Sequence, residues 1–236
     1  MKNFLFYKVL VCIVLVISSC TSEETPSTHH QFQSKSIVFP IESRNMYDEI
    51  GHMYLELYDY YYLSELSPAS IEDLAYSIDS LITTHTSLPP TSIPIDSNFS
   101  STLNRLIKFP ESSLDSLSSN ISLSTTTKSL INQITIATTV ISDSNYSEIV
   151  SDIINLENNI IDNSFIVENE KIPLLILTSI IKYYIMDNGG QKDKDWDLSV
   201  GNIIAIYYGA VHSPQDALLV SLTLKIAKEN DISLSD

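Results

Sequence analysis

The chain has little of four things that commonly announce a function: cysteine, glycine, basic charge and long apolar runs. Its 236 residues include two cysteines, Cys12 and Cys20, too few for a disulfide-rich scaffold or a thiolate zinc site. Five glycines, against a usual share of about 7%, disfavour many-turned β folds and Gly-rich phosphate loops. Thirteen basic residues face 29 acidic ones, for a net charge of −16. Nucleic-acid binding needs a dense Lys/Arg footprint, so that class is excluded. Hydrophobic residues still make up 44% of the chain, enough to bury a core.

An uninterrupted apolar run, Val9 to Ile17, follows Lys2 and Lys8. Nine residues do not span a hydrocarbon core of about 30 Å, which takes about 20 in a helix. A basic start, a short apolar run and small residues after it form the pattern of a secretory signal, excluded from any fold argument.

The end of this segment, Val16-Ile17-Ser18-Ser19-Cys20, resembles the lipobox of bacterial lipoproteins. That resemblance implies cleavage of residues 1–19 and acylation of Cys20, with palmitate-type chains holding the protein to a membrane. Each buried methylene contributes about 0.8 kcal/mol, so two or three chains anchor stably. Cys12 then leaves with the signal and Cys20 is blocked by lipid. The mature chain is expected to hold no free thiol, which removes thiol nucleophiles and thiolate metal sites. Loss of Lys2 and Lys8 leaves it still more acidic.

From Thr21 to about Ser36 the chain is polar, without apolar periodicity, and residues 20–40 read as a flexible tether. Glu23-Glu24, close behind Cys20, resembles the acidic export signal of Bacteroidota surface lipoproteins. It implies an outer-membrane protein exposed at the cell surface; a periplasm-facing lipoprotein is the alternative.

Residues 41–236 are expected to form an all-α domain, an irregular bundle of about seven or eight helices. Tyr47, Ile50, Tyr54, Leu57, Tyr58 and Tyr61 recur at helical steps until Ser67-Pro68. Ser70 and Asp73 resemble a capping box opening a second helix. Pro89, Pro90 and Pro94 mark 85–100 as an exposed crossover or a sub-boundary between two small domains. Leu103 to Ile107 suggest a short helix ended by Pro110, and 112–127 reads as helix plus loop. Leu130 to Ile141 is rich in β-branched residues, but its length favours a buried helix over a strand. Asn145 to Asn159 is helical, and Pro173 suits the first turn of an apolar helix stopped by Asn188-Gly189-Gly190. Val200 to Ala210 forms another helix, and Ser213-Pro214-Gln215-Asp216 opens the last, with Lys225 and Lys228 towards its C-terminal end, where the macrodipole favours cations.

Three constellations invite a chemical reading. Glu49 and His52 are spaced Glu-x-x-His, with Asp48 and Glu56 one turn either side of the histidine, as in di-iron carboxylate bundles. No second copy occurs, and a solvated acidic helix face accounts for the spacing. Asp193, Asp195 and Asp197 alternate like the opening of a calcium loop. Leu198 stands where glycine is needed and Ile204 where the bidentate acid belongs, so an aspartate-rich surface loop is the simpler reading; no metal or other cofactor is assigned. Six of thirteen tyrosines fall between Tyr47 and Tyr62. Tyr60, Tyr61 and Tyr62 cannot all face a core, which makes them the candidate binding surface, since tyrosine suits glycan and protein contacts. His85 and His212 lack any recognisable nucleophile context. Asp79-Ser80-Leu81 and Asp115-Ser116-Leu117 resemble a short bacterial O-glycosylation motif.

Tyr47-Asp48-Glu49-Ile50-Gly51 through Tyr60, with Asp197 through Ala210 and Ser213 to Ala227, resembles a group of small uncharacterised Bacteroidota lipoproteins and secreted proteins. The group implies no activity, so no site residue is carried over. The expectation is a membrane-anchored lipoprotein that acts as a non-enzymatic binding module, with an envelope protein or glycan as partner. An extracytoplasmic enzyme centred on His52, Glu49 and Glu56, or a lipoprotein immunity factor, are the alternatives.

Overall fold

Two helices whose surfaces are apolar nearly all round set the architecture, because such helices are stable only when other helices surround them. In the computed structural model these are Glu168–Asp187 and Pro214–Glu229, with fourteen and thirteen buried residues. The structure describes residues 43–121, 123–139, 146–187 and 199–234. The expected signal segment, Cys20, the expected tether and Asp193, Asp195 and Asp197 lie outside the described residues. All the described residues belong to one compact unit, Phe39–Asp236.

Among the described residues there are nine helices and no strand, an all-α irregular bundle as expected. They are α1 (Asp48–Leu63), α2 (Ile71–His85), α3 (Phe99–Lys108), α4 (Pro110–Ile121), α5 (Thr125–Thr139), α6 (Tyr146–Asp162), α7 (Glu168–Asp187), α8 (Val200–His212) and α9 (Pro214–Glu229). No described helix is long and apolar enough to cross a membrane. α7 packs against α1, α6, α8 and α9; α9 packs in turn against α8, α2 and α1; and α3 and α4 cover α8.

Local chemistry explains most boundaries. Ser70, Ser199 and Ser213 each accept a bond from the third amide beyond them, at 3.1, 3.3 and 3.1 Å, and so cap α2, α8 and α9. Pro110 both follows the end of α3 and opens α4, as its fixed φ and missing donor allow at a first helical position. The β-branched run Ile134 to Thr139 is helical, within α5.

Several boundaries differ from the sequence reading: α3 begins at Phe99, ahead of Leu103, α5 begins at Thr125, ahead of Leu130, and α7 differs most. Pro173 does not open its helix but stands in the sixth position of α7. The first turn is closed earlier, by the amides of Glu170 and Lys171 on the carbonyl of Val167 at 2.9 and 3.0 Å. An interior proline removes one ladder bond and costs about 3 kcal/mol. Burial of the residues that follow it, from Leu174 to Ile181, offsets that cost.

The three described glycines all sit where backbones nearly touch. A β-carbon on Gly51 would lie 2.6 Å from the Ser179 carbonyl oxygen, one on Gly201 2.6 Å from Ile107 Cα, and one on Gly209 2.6 Å from the Asp216 carbonyl oxygen. Gly51 also donates its amide to Ser179 Oγ at 2.9 Å, so α1 and α7 are bonded at their closest point. Gly51→Ala is expected to push these helices apart and lower unfolding free energy by about 1–3 kcal/mol. Urea denaturation of the variant against the parent measures it, and an unchanged midpoint contradicts so tight a crossing.

Candidate functional site

The tyrosines of α1 are distributed by the helical twist of about 100° per residue. Tyr54 and Tyr61 point into the core, at 0% and 3% exposure. Tyr58 and Tyr62 lie half-buried against α9, where their hydroxyls donate to Glu229 at 2.9 and 2.6 Å. Tyr60 faces outward at 40% exposure, its ring stacked on His85 of α2 with centroids 4.1 Å apart and planes 19° from parallel. Of the run Tyr60-Tyr61-Tyr62, Tyr60 is thus the exposed member. Leu63, three residues on along the same helical face, is exposed too.

Beneath this face lies a cation that periodicity assigned to a helix end. Lys225 is 2% exposed, with Nζ 4.1 Å from the Tyr58 ring centre and 4.9 Å from that of Tyr184. Its ammonium also donates to Asp187 at 3.4 Å. A desolvated ammonium between two aromatic faces is held by their negative quadrupoles, so Lys225 ties α1, α7 and α9 together. Burial, followed by the charge of Glu229, raises the phenol of Tyr58 well above its ordinary range, and burial, followed by the hydrogen bond to Glu229, raises Tyr62. Both therefore stay protonated and act as hydrogen-bond donors, not as bases. Burial and the neighbouring Asp187 also raise the Asp59 carboxyl, against an opposing pull from Lys225.

The Glu-x-x-His face separates in the fold. Glu49 is exposed, and His52 meets Glu56 at 3.4 Å with both side chains about half exposed. Asp48 turns away to an ion pair with the buried Lys182. Among the described residues no cluster of three histidine, cysteine or acidic side chains is placed to hold a metal. His212 bonds the Tyr208 carbonyl at 2.9 Å. Ser80 and Ser116 are exposed, with Asp79 bonded to Thr91 and Asp115 paired with Lys128.

Single-sequence reasoning missed the buried polar groups that tie segments together. Lys182 and Glu157, 3% and 2% exposed as side chains, pair at 3.1 Å between α7 and α6. Asn45 donates to Glu157 and to the Leu175 carbonyl, both at 2.8 Å. Fully buried Asp216 accepts the amides of Ser92 and Ile93 at 2.8 and 2.9 Å, fastening the proline-rich crossover to α9. Glu170 accepts the Ser124 amide at 2.8 Å and the Thr127 hydroxyl at 2.5 Å, capping α5 from α7. No motif flags these residues; the only signal is a charge set inside an apolar stretch, as at Lys182 and Lys225. A cleft of about 200 Å³ between α3, α4 and α8 is lined by Arg105, Ser112, Ser116 and Tyr208. It is smaller than the sites that usually enclose a small molecule.

Lys182→Met is expected to strand two carboxylates and lower stability by about 3–5 kcal/mol, with Glu157→Gln added on top recovering part of the loss in urea unfolding. Equal losses in the single and double variants would show that the charges are not coupled. The Glu170 carboxyl is raised by burial but lowered more by its bonds from Ser124 and Thr127, for a net downward shift. A lowered folded-state value stabilises above the unfolded value and ceases to do so as pH falls through the folded one. Glu170→Ala is therefore expected to lose about 2–3 kcal/mol at neutral pH, and the difference from the parent should shrink below the ordinary glutamate range. A pH-independent difference in unfolding free energy contradicts this.

Compared with protein-family models, curated proteins and solved structures, the chain matches none.

Proposed function

We propose that this chain is a membrane-anchored extracytoplasmic lipoprotein whose helical domain binds an envelope partner through the Tyr60 face of α1. The observation that carries the binding reading is the stacked, outward Tyr60–His85 pair beside exposed Leu63. While Tyr54, Tyr58, Tyr61 and Tyr62 are absorbed by the core or by Glu229, this aromatic plane is left on the surface. A flat aromatic platform with an apolar neighbour suits the face of a sugar ring or an apolar protein side chain.

The anchoring reading is supported by the Ile17-Ser18-Ser19-Cys20 sequence. It accounts for a chain with a basic and apolar start, no remaining thiol and a polar segment before the folded domain. Lipid on Cys20 supplies attachment to the outer membrane, and the domain supplies recognition at its surface.

Two measurements test these parts separately. Cys20→Ala is expected to abolish incorporation of an alkyne-tagged palmitate and to move the protein from the membrane to the soluble fraction; retained label at another position defeats the anchoring reading. For binding, a photo-crosslinking residue at Leu63 is expected to capture one discrete envelope component in intact cells, with the yield falling at least several-fold in Tyr60→Ala. Equal capture with and without Tyr60 defeats the platform.

A further inference from the structure

The turn between α6 and α7 exposes apolar side chains where a stable fold has no need of them. Phe165 is 87% and Val167 58% exposed, while Ile166 between them is 3% exposed and seated in the core. The turn is firmly built: the Phe165 amide donates to Asn163 Oδ1 at 2.9 Å, and Lys171 Nζ donates to the Ile161 carbonyl at 2.9 Å, closing the end of α6. Buried Ile166 anchors the backbone, so the alternation of side chains holds its two neighbours outward.

The point at which the chain enters the domain adjoins this turn. Arg44 grips Asp162, three residues before Phe165, through both guanidinium nitrogens at 3.0 and 2.8 Å. Asn45, the next residue, donates its side-chain amide to Glu157 of α6 and to the Leu175 carbonyl of α7. The 22 residues before Ser43 lead back to Cys20, so a lipid on that cysteine draws this end of the bundle towards the bilayer. Charge opposes this contact little: Arg44 and Lys171 stand with Asp162, Glu168 and the buried Glu170, a local net of −1 in a chain of net −16.

We propose that the Asn163–Val167 turn is the membrane-contacting face of the anchored domain, with Phe165 and Val167 inserted into the interfacial layer of the bilayer. The contact rests on the anchoring proposed above and adds to it an orientation. Apolar side chains on a rigid turn gain burial in the acyl boundary, and a lipid anchor makes that contact intramolecular, so a pair of side chains suffices where free protein would not bind. With this end against the lipid, the domain has a fixed pose relative to the surface.

The expected absence of any other thiol makes the test direct. Phe165→Cys and, for reference, Tyr76→Cys on α2 (57% exposed) are introduced into the full-length chain. Each is expressed with lipidation, labelled with an environment-sensitive NBD probe and reconstituted into phosphatidylethanolamine–phosphatidylglycerol vesicles. The probe at position 165 is expected to shift to the blue, gain several-fold in emission and be quenched by spin-labelled lipid, while that at 76 stays aqueous. Acylated protein in which both probes report water overturns the membrane contact alone. Protein that carries no acyl label and fails to join vesicles overturns the anchoring reading and this contact with it. A probe at 165 that is shielded in intact cells yet aqueous on vesicles assigns the turn to a protein partner and overturns the contact.

Discussion

The buried charge of Lys182 is the constraint on which the rest of the structure depends. Its ammonium, on one of the two most enclosed helices, meets Glu157 of α6 and Asp48 of α1, and Glu157 also receives the side chain of Asn45. Desolvating such ions costs several kcal/mol each, so the arrangement persists only where partners and hydrogen bonds are complete. Completeness here requires three elements in register at once: α1, α6 and α7. One turn away, the absent side chain of Gly51 lets α1 approach α7 until its backbone bonds Ser179. Contact and charge therefore specify the same crossing.

Acidic residues perform the same service at the periphery. Asp216 holds the Ser92–Ile93 amides and Glu170 holds Ser124 and Thr127. In each case a carboxylate on a core helix satisfies backbone or hydroxyl donors of a connecting segment or of the first turn of the helix that follows it. A chain short of glycine and rich in serine, threonine and acid thus fastens its connections by side-chain acceptors. The proline-rich stretch 85–100, which composition leaves open as a crossover or a boundary, is bonded to α9 through Asp216 and places Ile93 in the core.

The candidate sites were legible to different depths. Helical spacing put Tyr54 and Tyr61 on one face and required that part of the tyrosine run be exposed; which member faces water depended on where α9 and Glu229 lie. Lys225 read as a cation placed for the helix dipole, because its aromatic partners stand more than 160 and about 40 positions away in the chain. The Glu-x-x-His pattern was a true helical face, but it leads to no second carboxylate helix among the described residues, and Asp48 is claimed by Lys182. Pro173 was misplaced because a proline suits a first turn on local grounds alone, whereas here the helix starts five residues earlier, its first turn closed by the Glu170 and Lys171 amides on the Val167 carbonyl.

By itself the sequence determined what depends on neighbours close along the chain. Helical periodicity, serine caps and proline stops are local, and they sufficed for an all-α architecture and for most helix starts. The short apolar run before Cys20, and the expectation of a leader and an anchor drawn from it, are local in the same sense. Only the tertiary structure decided which polar groups go inside, since the cost of burying Lys182, Lys225, Asp216 or Glu170 is met by partners that sequence distance conceals. It likewise decided that Tyr60 and Phe165 remain outside, because exposure is set by what the other helices leave uncovered.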